Sequence, residues 1–367
     1  MINTLVAFGT RPEAIKMAPL ILELKTRAEL RCTVCVTAQH RQMLDQALGA
    51  FGITPDLDLD IMRPRQSLTD ITASALRGMG DVLAERRPDI VLVHGDTATT
   101  FACALAAYYS QTAVGHVEAG LRTMNKYSPF PEEMYRQMTD RLADMLFAPT
   151  EVSRANLLRE GLNPADVFVT GNTAIDALRL TVREDYSHPA LDRCRGCRLL
   201  LLTAHRRENL GAPMHRIFSA IKRIVDEFHD VSVIYPVHLN PAVREIADVV
   251  FGGSANRVNL IEPLEAGDFH NFMNRAHIIL TDSGGIQEEA PSLGKPVLVV
   301  RDTTERPEGV EAGTLKLVGT DADTIYAETK LLLEDESAYE KMSRASNPYG
   351  DGFASQKIAD AIITRYK

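Results

Sequence analysis

The sequence contains no tryptophan, and aromatic residues make up only 6% of its 367 positions. It also lacks an apolar run long enough to cross a bilayer as a helix, so we predict no membrane association. Acidic residues outnumber basic ones, 49 to 40, and the formal charge of −9 disfavours broad binding to nucleic acid or anionic lipid. The first residues have neither a basic start nor a long apolar core, so they predict a strand rather than a signal peptide.

Cysteine is also scarce. The chain has five, an odd number that does not indicate a disulfide framework, and we predict a reducing, cytoplasmic setting. Two C-x-x-C pairs occur, Cys32 with Cys35 and Cys194 with Cys197. The first lies in a predicted strand, where residues three apart point to opposite faces and cannot easily share a metal ion. The second lies in a basic loop that would suit a redox role, but so short a motif often matches by chance. We therefore predict no metal site.

The chain alternates short β-branched runs with longer amphipathic stretches, a pattern typical of parallel sheets covered by helices on both faces. The pattern occurs in both halves and predicts two doubly wound, Rossmann-like α/β domains. The runs are Thr4–Phe8, Thr33–Thr37, Asp89–His94, Ala113–Val117 and Met145–Ala148 in the first half, and Leu199–Thr203, Val231–Pro236, Val258–Ile261, Ile278–Thr281 and Pro296–Val300 in the second.

A turn-forming segment, Thr170–Thr173, separates the two halves. Its glycine and asparagine suit a turn or hinge, so we place the first domain at residues 1–171 and the second at 172–349. Residues 350–367 are predicted to form a C-terminal helix that packs back on the first domain.

Acidic side chains follow successive predicted strands of the first half, at the edge where open α/β sheets bind ligands. Asp96 follows one strand and Glu118 the next, while Glu132 and Glu133 open a helix. Any one of these acids could simply cap a helix. Three acids at neighbouring edges of one sheet can converge on a single cleft, where they raise one another's pKa and supply both an acid and a base.

Two cations flank the start of the first predicted helix, which follows Gly9. A helix N-terminus with Arg11 and Lys16 nearby attracts phosphate, although an ordinary cap with solvated charges explains the pattern equally well. The segment is neither a dinucleotide fingerprint nor a P-loop, so we predict no redox cofactor.

The second half contains further candidates for binding phosphate. Ser283, Gly284 and Gly285 form a glycine turn after a strand and can offer hydroxyl and backbone donors to a diphosphate. Glu289 lies about one turn further on, where an acid suits ribose hydroxyls. His205 follows the first strand of this half and is either a phosphate donor or a loop histidine satisfied by the backbone.

Several longer motifs occur in order from Met1 to about Gly352. They are Gly-Thr-Arg-Pro-Glu-Ala-Ile-Lys-Met-Ala-Pro, His-Gly-Asp-Thr, His-Val-Glu-Ala-Gly-Leu-Arg, Pro-Glu-Glu, His-Arg-Arg-Glu-Asn, Asp-Ser-Gly-Gly-Ile-Gln-Glu-Glu and Arg-Asp-Thr-Thr-Glu-Arg-Pro-Glu. Together they resemble the non-hydrolysing UDP-N-acetylglucosamine 2-epimerases. The resemblance implies a GT-B fold, with two Rossmann-like domains facing a central cleft, and a homodimer. It also implies interconversion of UDP-GlcNAc and UDP-ManNAc, which feeds cell-envelope polysaccharides.

The resemblance also assigns roles by position. It implies an acid–base group of Asp96, Glu118 and Glu132, with His205 as a further catalytic residue at the diphosphate. The residues it implies for substrate binding are Arg11, Lys16, Phe269 beside the uracil, Ser283, Gly284, Gly285, Glu289 and Arg306. Some members are activated by a second UDP-GlcNAc, and the positions matching that region are Gln39, His40, Gln42, Arg65, Gln66 and His238.

One position departs from the family pattern. Where the family often has asparagine, this chain has Tyr135, close to the acid Glu132. The change leaves the placement of Glu132 open and could alter substrate preference.

The chemistry explains why these residue types occur together. The C2 proton of the sugar has no neighbouring carbonyl, so a carboxylate can remove this proton only after UDP has left C1. Loss of UDP and of the C2 proton predicts a 2-acetamidoglucal intermediate. A cationic cradle for the leaving diphosphate is then catalytic. Three alternatives remain. One is a hydrolysing epimerase that releases ManNAc and UDP, and another is a GT-B glycosyltransferase, which shares the fold and the diphosphate cradle but needs an acceptor. The third is a non-catalytic nucleotide-sugar sensor.

Overall fold

The computed structural model describes residues 1–38, 41–252, 257–304 and 306–367, apart from the side chains of 41–43. The chain divides into two compact units. Unit 1 comprises Met1–Leu180 and Tyr349–Lys367, and unit 2 comprises Thr181–Pro348. Each unit is a parallel sheet flanked by helices, which confirms the predicted α/β class.

Among the described residues of unit 1, seven parallel strands form one sheet in the order β3-β2-β1-β4-β5-β6-β7. The strands are β1 Ile2–Phe8, β2 Leu30–Val36, β3 Leu57–Asp58, β4 Ile90–His94, β5 Ala113–Val117, β6 Met145–Ala148 and β7 Val167–Val169. The helices are α1 Arg11–Thr26, α2 Arg41–Ala50, α3 Leu68–Arg86, α4 Ala98–Tyr109, α5 Glu132–Leu142, α6 Glu151–Arg159 and α7 Thr173–Thr181, with a short 3₁₀ turn at Pro164–Asp166.

Strand β1 shows why the strands lack polar alternation. Successive side chains of a strand point to opposite faces. Val6 and Phe8 pack in a core with α1 and α2, whereas Leu5 and Ala7 pack in a second core with α3 and α4. Because helices cover both faces, every one of these positions is apolar.

Unit 2 repeats the design. Its described strands form a six-stranded parallel sheet in the order β10-β9-β8-β11-β12-β13. The strands are β8 Arg198–Thr203, β9 Val231–Pro236, β10 Val258–Ile261, β11 Ile278–Thr281, β12 Val297–Val299 and β13 Leu315–Leu317. The helices are α8 Pro189–Asp192, α9 Ala212–Glu227, α10 Pro241–Phe251, α11 Ala266–Arg275, α12 Gly284–Glu289, α13 Pro307–Glu311, α14 Ala322–Glu334 and α15 Glu336–Ser343, with 3₁₀ turns at Arg207–Asn209 and Ala290–Leu293.

The chain returns to unit 1 after Pro348 and ends in helix α16, Ala354–Tyr366. Asp176 on α7 accepts hydrogen bonds from the backbone N–H groups of Ala354 and Ser355, at 3.1 and 2.7 Å. These contacts hold α7 to the start of α16, and unit 1 therefore extends beyond the predicted join at Thr170–Thr173 to Leu180.

None of the helices in the described part of the chain is both long and apolar enough to cross a membrane. All five cysteines are free thiols. Burial raises the pKa of Cys32 to about 11 and that of Cys35 to about 12, so both remain protonated at neutral pH.

Candidate functional site

The strand order of unit 1 places β1 next to β4, and the chain winds outward from this pair in both directions. Open α/β sheets bind ligands at such a switch point, beyond the carboxyl ends of the strands. Gly9 follows β1, Asp96 lies two residues beyond β4, and Glu118 follows β5 directly. The predicted groups of the first half therefore lie along one edge of one sheet.

Glu118 is held in place more firmly than the other acids. It adopts a left-handed backbone conformation with a φ of 69°, which is rare for a residue other than glycine and often marks a functional position. Its Oε2 accepts hydrogen bonds from Lys16 Nζ and, at 3.0 Å, from Asn172 Nδ2. The side chain is only 10% exposed, so these contacts leave it in one orientation.

Asp96 is tied to helix α5 at the same edge. Its Oδ2 lies 2.6 Å from Arg136 of that helix, in a salt bridge. A Cβ atom built on the neighbouring Gly95 would lie 3.8 Å from Glu118 Oε1, which places the backbone before Asp96 against the Glu118 carboxylate. Glu132 opens helix α5 one turn before Arg136. Asp96 therefore lies close to Glu118 and is tied to the helix that Glu132 opens.

The structure distinguishes the two acids that open α5. Glu133 is buried and accepts hydrogen bonds from the backbone N–H groups of Thr123 and Met124, at 3.0 and 3.2 Å. Burial acts to raise the pKa of Glu133, but these bonds and Arg136 outweigh it and lower the pKa. Glu132 is half-exposed and forms no hydrogen bond or ion pair with the described residues. Glu133 therefore braces a loop, and Glu132 is available for chemistry.

A buried carboxylate also shapes the turn that carries Arg11. Glu13 accepts hydrogen bonds from the backbone N–H groups of Gly9 and Thr10, at 3.0 and 2.7 Å, in a capping box at the start of α1. Arg11 is half-buried in the first turn of this helix. Lys16, one turn further, forms the ion pair with Glu118.

Tyr135 occupies the position where the sequence departs from the family pattern. Its ring stacks on Phe101 of α4, with centroids 5.5 Å apart and planes 14° apart. The stack holds α5 to α4, so the phenol ring has a packing role close to Glu132.

Behind the strand ends lies a buried polar network. His116 on β5 makes contacts of 2.6 Å with Asp140 Oδ1 and 2.7 Å with the carbonyl oxygen of Gly95. Asp140 Oδ2 also lies 2.7 Å from Arg122, which makes a second ion pair with Glu160. His116 and Asp140 are fully buried, and the network ties the Gly95 turn to α5.

We expect Gly120→Ala to lower the free energy of unfolding by about 2–4 kcal/mol. Gly120 has a φ of +86°, and an added Cβ would lie 2.4 Å from the backbone oxygen of Ser153, which cannot move without displacing α6. Gly161→Ala is the matched control because Gly161 has a φ of +80° but open space around it. Urea unfolding should show a loss of roughly 1 kcal/mol for the control. Equal losses for the two variants would contradict the expected clash.

His94, the last residue of β4, was not singled out by the sequence. It is buried, and its Nε2 forms no hydrogen bond with the described residues, although it lies 3.6 Å from Glu118 Oε2. Burial lowers the pKa of His94 to about 3, an effect that the Glu118 carboxylate only partly offsets. His94 is therefore neutral at physiological pH.

We expect His94→Gln to flatten the pH dependence of stability. The folded-state pKa of about 3 lies below the ordinary value of 6.5, so between these limits the unfolded chain binds more protons and the free energy of unfolding falls as the pH drops. Urea unfolding of wild type and variant at several pH values across this window measures the slope. The exposed His215→Gln should leave the slope unchanged, and a wild-type slope in His94→Gln would contradict the expectation.

In unit 2 the switch point lies between β8 and β11. His205 follows β8, and Asp282, Ser283 and Gly284 follow β11, so the two predicted phosphate-binding segments are neighbours at one sheet edge. The guanidinium of Arg306 covers Gly284, since a Cβ atom added there would lie 3.3 Å from Arg306 Cζ. The structure thus brings together the predicted histidine, glycine turn and arginine.

Other predicted residues of unit 2 lie on α11 and α12. Arg306 Nε donates to Glu288, a buried carboxylate, at 2.7 Å. Glu289 lies 3.9 Å from His270 of α11 and is 16% exposed. Phe269, which precedes His270 in the same helix, is half-buried. Burial lowers the pKa of His270 to about 4, which keeps that imidazole neutral beside Glu289.

The positions matched to a second substrate molecule are only partly described. Gln39 and His40 lie outside the described residues, as does the side chain of Gln42. In unit 1, Gln66 accepts from the backbone N–H of Arg63 at 2.7 Å, and Arg65 is exposed with a φ of 59°. In unit 2, the exposed His238 stacks on His205. Activation by a second substrate molecule stays a prediction.

Sequence reasoning missed Asp282 and Glu288, two buried acids within a motif it had identified. Asp282 directly follows β11, so the same criterion that selected Glu118 after β5 would have selected it. Glu288 had no such signal, because its role depends on Arg306, which lies across a loop.

The sheets, their order and the polar clusters at both switch points define a two-domain protein of the Rossmann-like class. Comparison with known proteins identifies the family. A family model described as UDP-N-acetylglucosamine 2-epimerase matches residues 22–363. The UDP-N-acetylglucosamine 2-epimerase of Bacillus subtilis (strain 168) is 64% identical over 365 residues, covering 100% of this chain and 96% of the relative.

Solved structures agree. One UDP-N-acetylglucosamine 2-epimerase superposes with a TM-score of 0.94 at 62% identity, over 100% of this chain and 96% of that one. The Neisseria meningitidis enzyme, solved bound to UDP-GlcNAc, has a TM-score of 0.87 and 49% identity, over 99% and 100% of the two chains. The predicted fold, of the GT-B type, is confirmed. The chain belongs to the UDP-N-acetylglucosamine 2-epimerase family.

Proposed function

We propose that this enzyme interconverts UDP-GlcNAc and UDP-ManNAc without hydrolysis, by eliminating and re-adding UDP through a 2-acetamidoglucal. The observation that carries the proposal is the setting of Glu118. This carboxylate is fixed in a left-handed backbone conformation beside Lys16, on the sheet edge that also bears Asp96. The N. meningitidis relative, solved with UDP-GlcNAc, supports the substrate.

The chemistry begins at C1. The C1–O bond breaks and UDP leaves with its electron pair, so positive charge grows at C1 and the C2 proton becomes acidic. A carboxylate then takes that proton, and a C1=C2 double bond forms. Proton return to the opposite face of C2, with re-addition of a UDP oxygen to C1, gives the epimer. Atoms and electrons balance without a redox cofactor.

The two units supply different parts of this reaction. In unit 1, Asp96, Glu118 and Glu132 form the proposed acid–base group, where proton transfer contributes about 10²–10⁴-fold to the rate. Arg11 and Lys16 of the same unit, together with groups of unit 2, stabilise charge on the leaving diphosphate. The groups of unit 2 are His205, Ser283, Gly284, Gly285 and Arg306 at the diphosphate, Glu289 at the ribose and Phe269 at the uracil.

We also propose that the enzyme is a homodimer in the cytoplasm, where its product feeds cell-envelope polysaccharide. The free thiols of all five cysteines suit a reducing compartment. Light scattering coupled to size-exclusion chromatography tests the dimer, and a monomeric mass would contradict it.

Proton NMR of the purified protein with UDP-GlcNAc in deuterated water tests the reaction. We expect UDP-ManNAc to appear together with deuterium at C2 of both nucleotide sugars, because the proton removed there exchanges with solvent. Free ManNAc as the main product would instead indicate a hydrolysing epimerase. No turnover without an acceptor would indicate a glycosyltransferase, and binding without C2 exchange a sensor.

A further inference from the structure

A buried acid in unit 2 contacts the histidine at the β8–β11 switch point. Asp282 is fully buried directly after β11. Its Oδ2 accepts hydrogen bonds from the backbone N–H groups of His205 and Arg206, each at 2.8 Å, and from Asn209 Nδ2 at 3.0 Å. One oxygen of this carboxylate therefore fixes the backbone of the segment that carries His205.

The other oxygen faces the imidazole. Asp282 Oδ1 lies 3.2 Å from His205 Nδ1, within ion-pair distance, and it forms no hydrogen bond with the described residues. A carboxylate oxygen only accepts hydrogen bonds, so its approach to Nδ1 favours the tautomer with a hydrogen on that nitrogen. Burial acts to raise the pKa of Asp282, but the contacts with His205 and Arg206 outweigh it and lower the pKa, so the acid is ionised.

Two aromatic residues restrain His205 further. The ring of His238 stacks on it, with centroids 5.5 Å apart and planes 12° apart. The buried hydroxyl of Tyr235 donates to the carbonyl oxygen of Ala204 at 2.6 Å, which anchors the residue before it. The His205 side chain is still 39% exposed. The ring is therefore held by the Asp282 carboxylate near Nδ1, by the stacked His238 ring and by the anchored backbone at Ala204. Nε2 is the ring nitrogen that none of these contacts constrains.

We propose that Asp282 is a positioning residue that holds the proton of His205 on Nδ1, so that Nε2 alone exchanges a proton with the diphosphate of the substrate. The role of His205 rests on the proposed function, whereas the Asp282–His205 contact does not. Once Nε2 of the partly exposed ring has taken up a proton from solvent, the ring can donate it to a phosphate oxygen as the C1–O bond breaks and take it back on re-addition. Asp282 keeps the Nδ1 proton throughout and acts through His205 only.

Asp282→Asn tests the proposal because it changes one group and keeps the shape. The amide oxygen can still accept the three N–H groups, but the amide nitrogen then faces Nδ1 and donates. We expect this to reverse the tautomer, leaving Nδ1 bare and the proton on Nε2. Proton transfer of this kind contributes about 10²–10⁴-fold, so kcat should fall about a hundredfold while KM changes less than about threefold.

Two measurements decide the outcome. Long-range ¹H–¹⁵N correlation spectra of His-labelled protein, assigned with His205→Gln, report the tautomer of the free enzyme. We expect wild type to carry a proton on Nδ1 and Asp282→Asn to carry it on Nε2 only. In kinetics, Asp282→Asn should have no further effect in the His205→Gln background, since residues that act through one another are not additive. Asp321→Asn is the control, because the oxygen that accepts from the backbone N–H of Thr324 at 2.9 Å is kept as the amide oxygen, and it should leave both readouts unchanged.

Each result bears on one part of the proposal. A bare Nδ1 in wild type would overturn it, and this measurement does not depend on the folding of Asp282→Asn. An equal loss of kcat with and without His205 would also overturn it, because Asp282 would then act on the loop instead. If wild type forms no UDP-ManNAc, the proposed reaction fails, and the tautomer measurement still decides the Asp282–His205 pairing.

Discussion

Glu118→Gln lowers turnover by about a hundredfold or more, because the amide cannot accept the C2 proton. The substitution keeps the size of the side chain and an oxygen for Asn172, so the loss reflects proton transfer rather than packing. Deuterium incorporation at C2 measures the step directly. UDP binding, measured by calorimetry, should remain close to that of wild type.

The other proposed acids extend this prediction. Asp96→Asn and Glu132→Gln should lower turnover to a similar extent, because proton transfer contributes about 10²–10⁴-fold to the rate. Glu23→Gln is a suitable control because Glu23 pairs with Arg27 at the C-terminal end of helix α1. Glu133→Gln distinguishes the two neighbouring acids, because it should weaken the loop that Glu133 braces, whereas Glu132→Gln should affect proton transfer. Near-normal turnover in Glu118→Gln, Asp96→Asn and Glu132→Gln together would remove the acid–base assignment.

Asp140→Ala has the largest expected effect on stability, a fall in the free energy of unfolding of about 3–5 kcal/mol. The change leaves Arg122, whose side chain is 1% exposed, and the buried His116 without their shared partner. Burial acts to lower the pKa of Arg122, but Glu160 and Asp140 outweigh it and raise the pKa, so this guanidinium stays charged when the acid is removed.

Urea unfolding of Asp140→Ala is compared with that of Asp323→Ala. The latter removes an exposed ion pair with Arg223, worth about 1 kcal/mol or less. If the two variants lose equal free energy of unfolding, the buried network contributes no more to stability than an exposed ion pair, which would contradict this prediction. Because the network also ties down the Gly95 turn, Asp140→Ala should reduce turnover in the fraction that remains folded.

The long apolar strands were predictable because burial on both faces leaves a clear run in the sequence. The runs at Ala113–Val117 and Ile278–Thr281 coincide with β5 and β11. The strands β3, β7 and β13 were missed. They contain two or three residues each and lie at or near the sheet edges, so tertiary pairing rather than local pattern defines them.

The site was predictable where a polar side chain directly follows a strand, because sheet topology then decides its neighbours. Glu118 and His205 are examples. Contacts that join distant segments were not predictable: the sequence offered no reason for Lys16 to meet Glu118 or for Arg306 to cover Gly284. The residue pattern alone also could not separate Glu132 from Glu133, since exposure depends on how the preceding loop packs, and only the family resemblance selected Glu132.

The discontinuity of unit 1 has a consequence for synthesis on the ribosome. Ile358, Ala359 and Ile362 of α16 belong to the same core as Val6 and Phe8 of β1. Unit 2, a continuous segment between the two parts, can complete its own core first, which reverses the usual N-to-C order of domain folding. We expect nascent chains released before residue 354 to have a protease-resistant unit 2 while unit 1 is still digested.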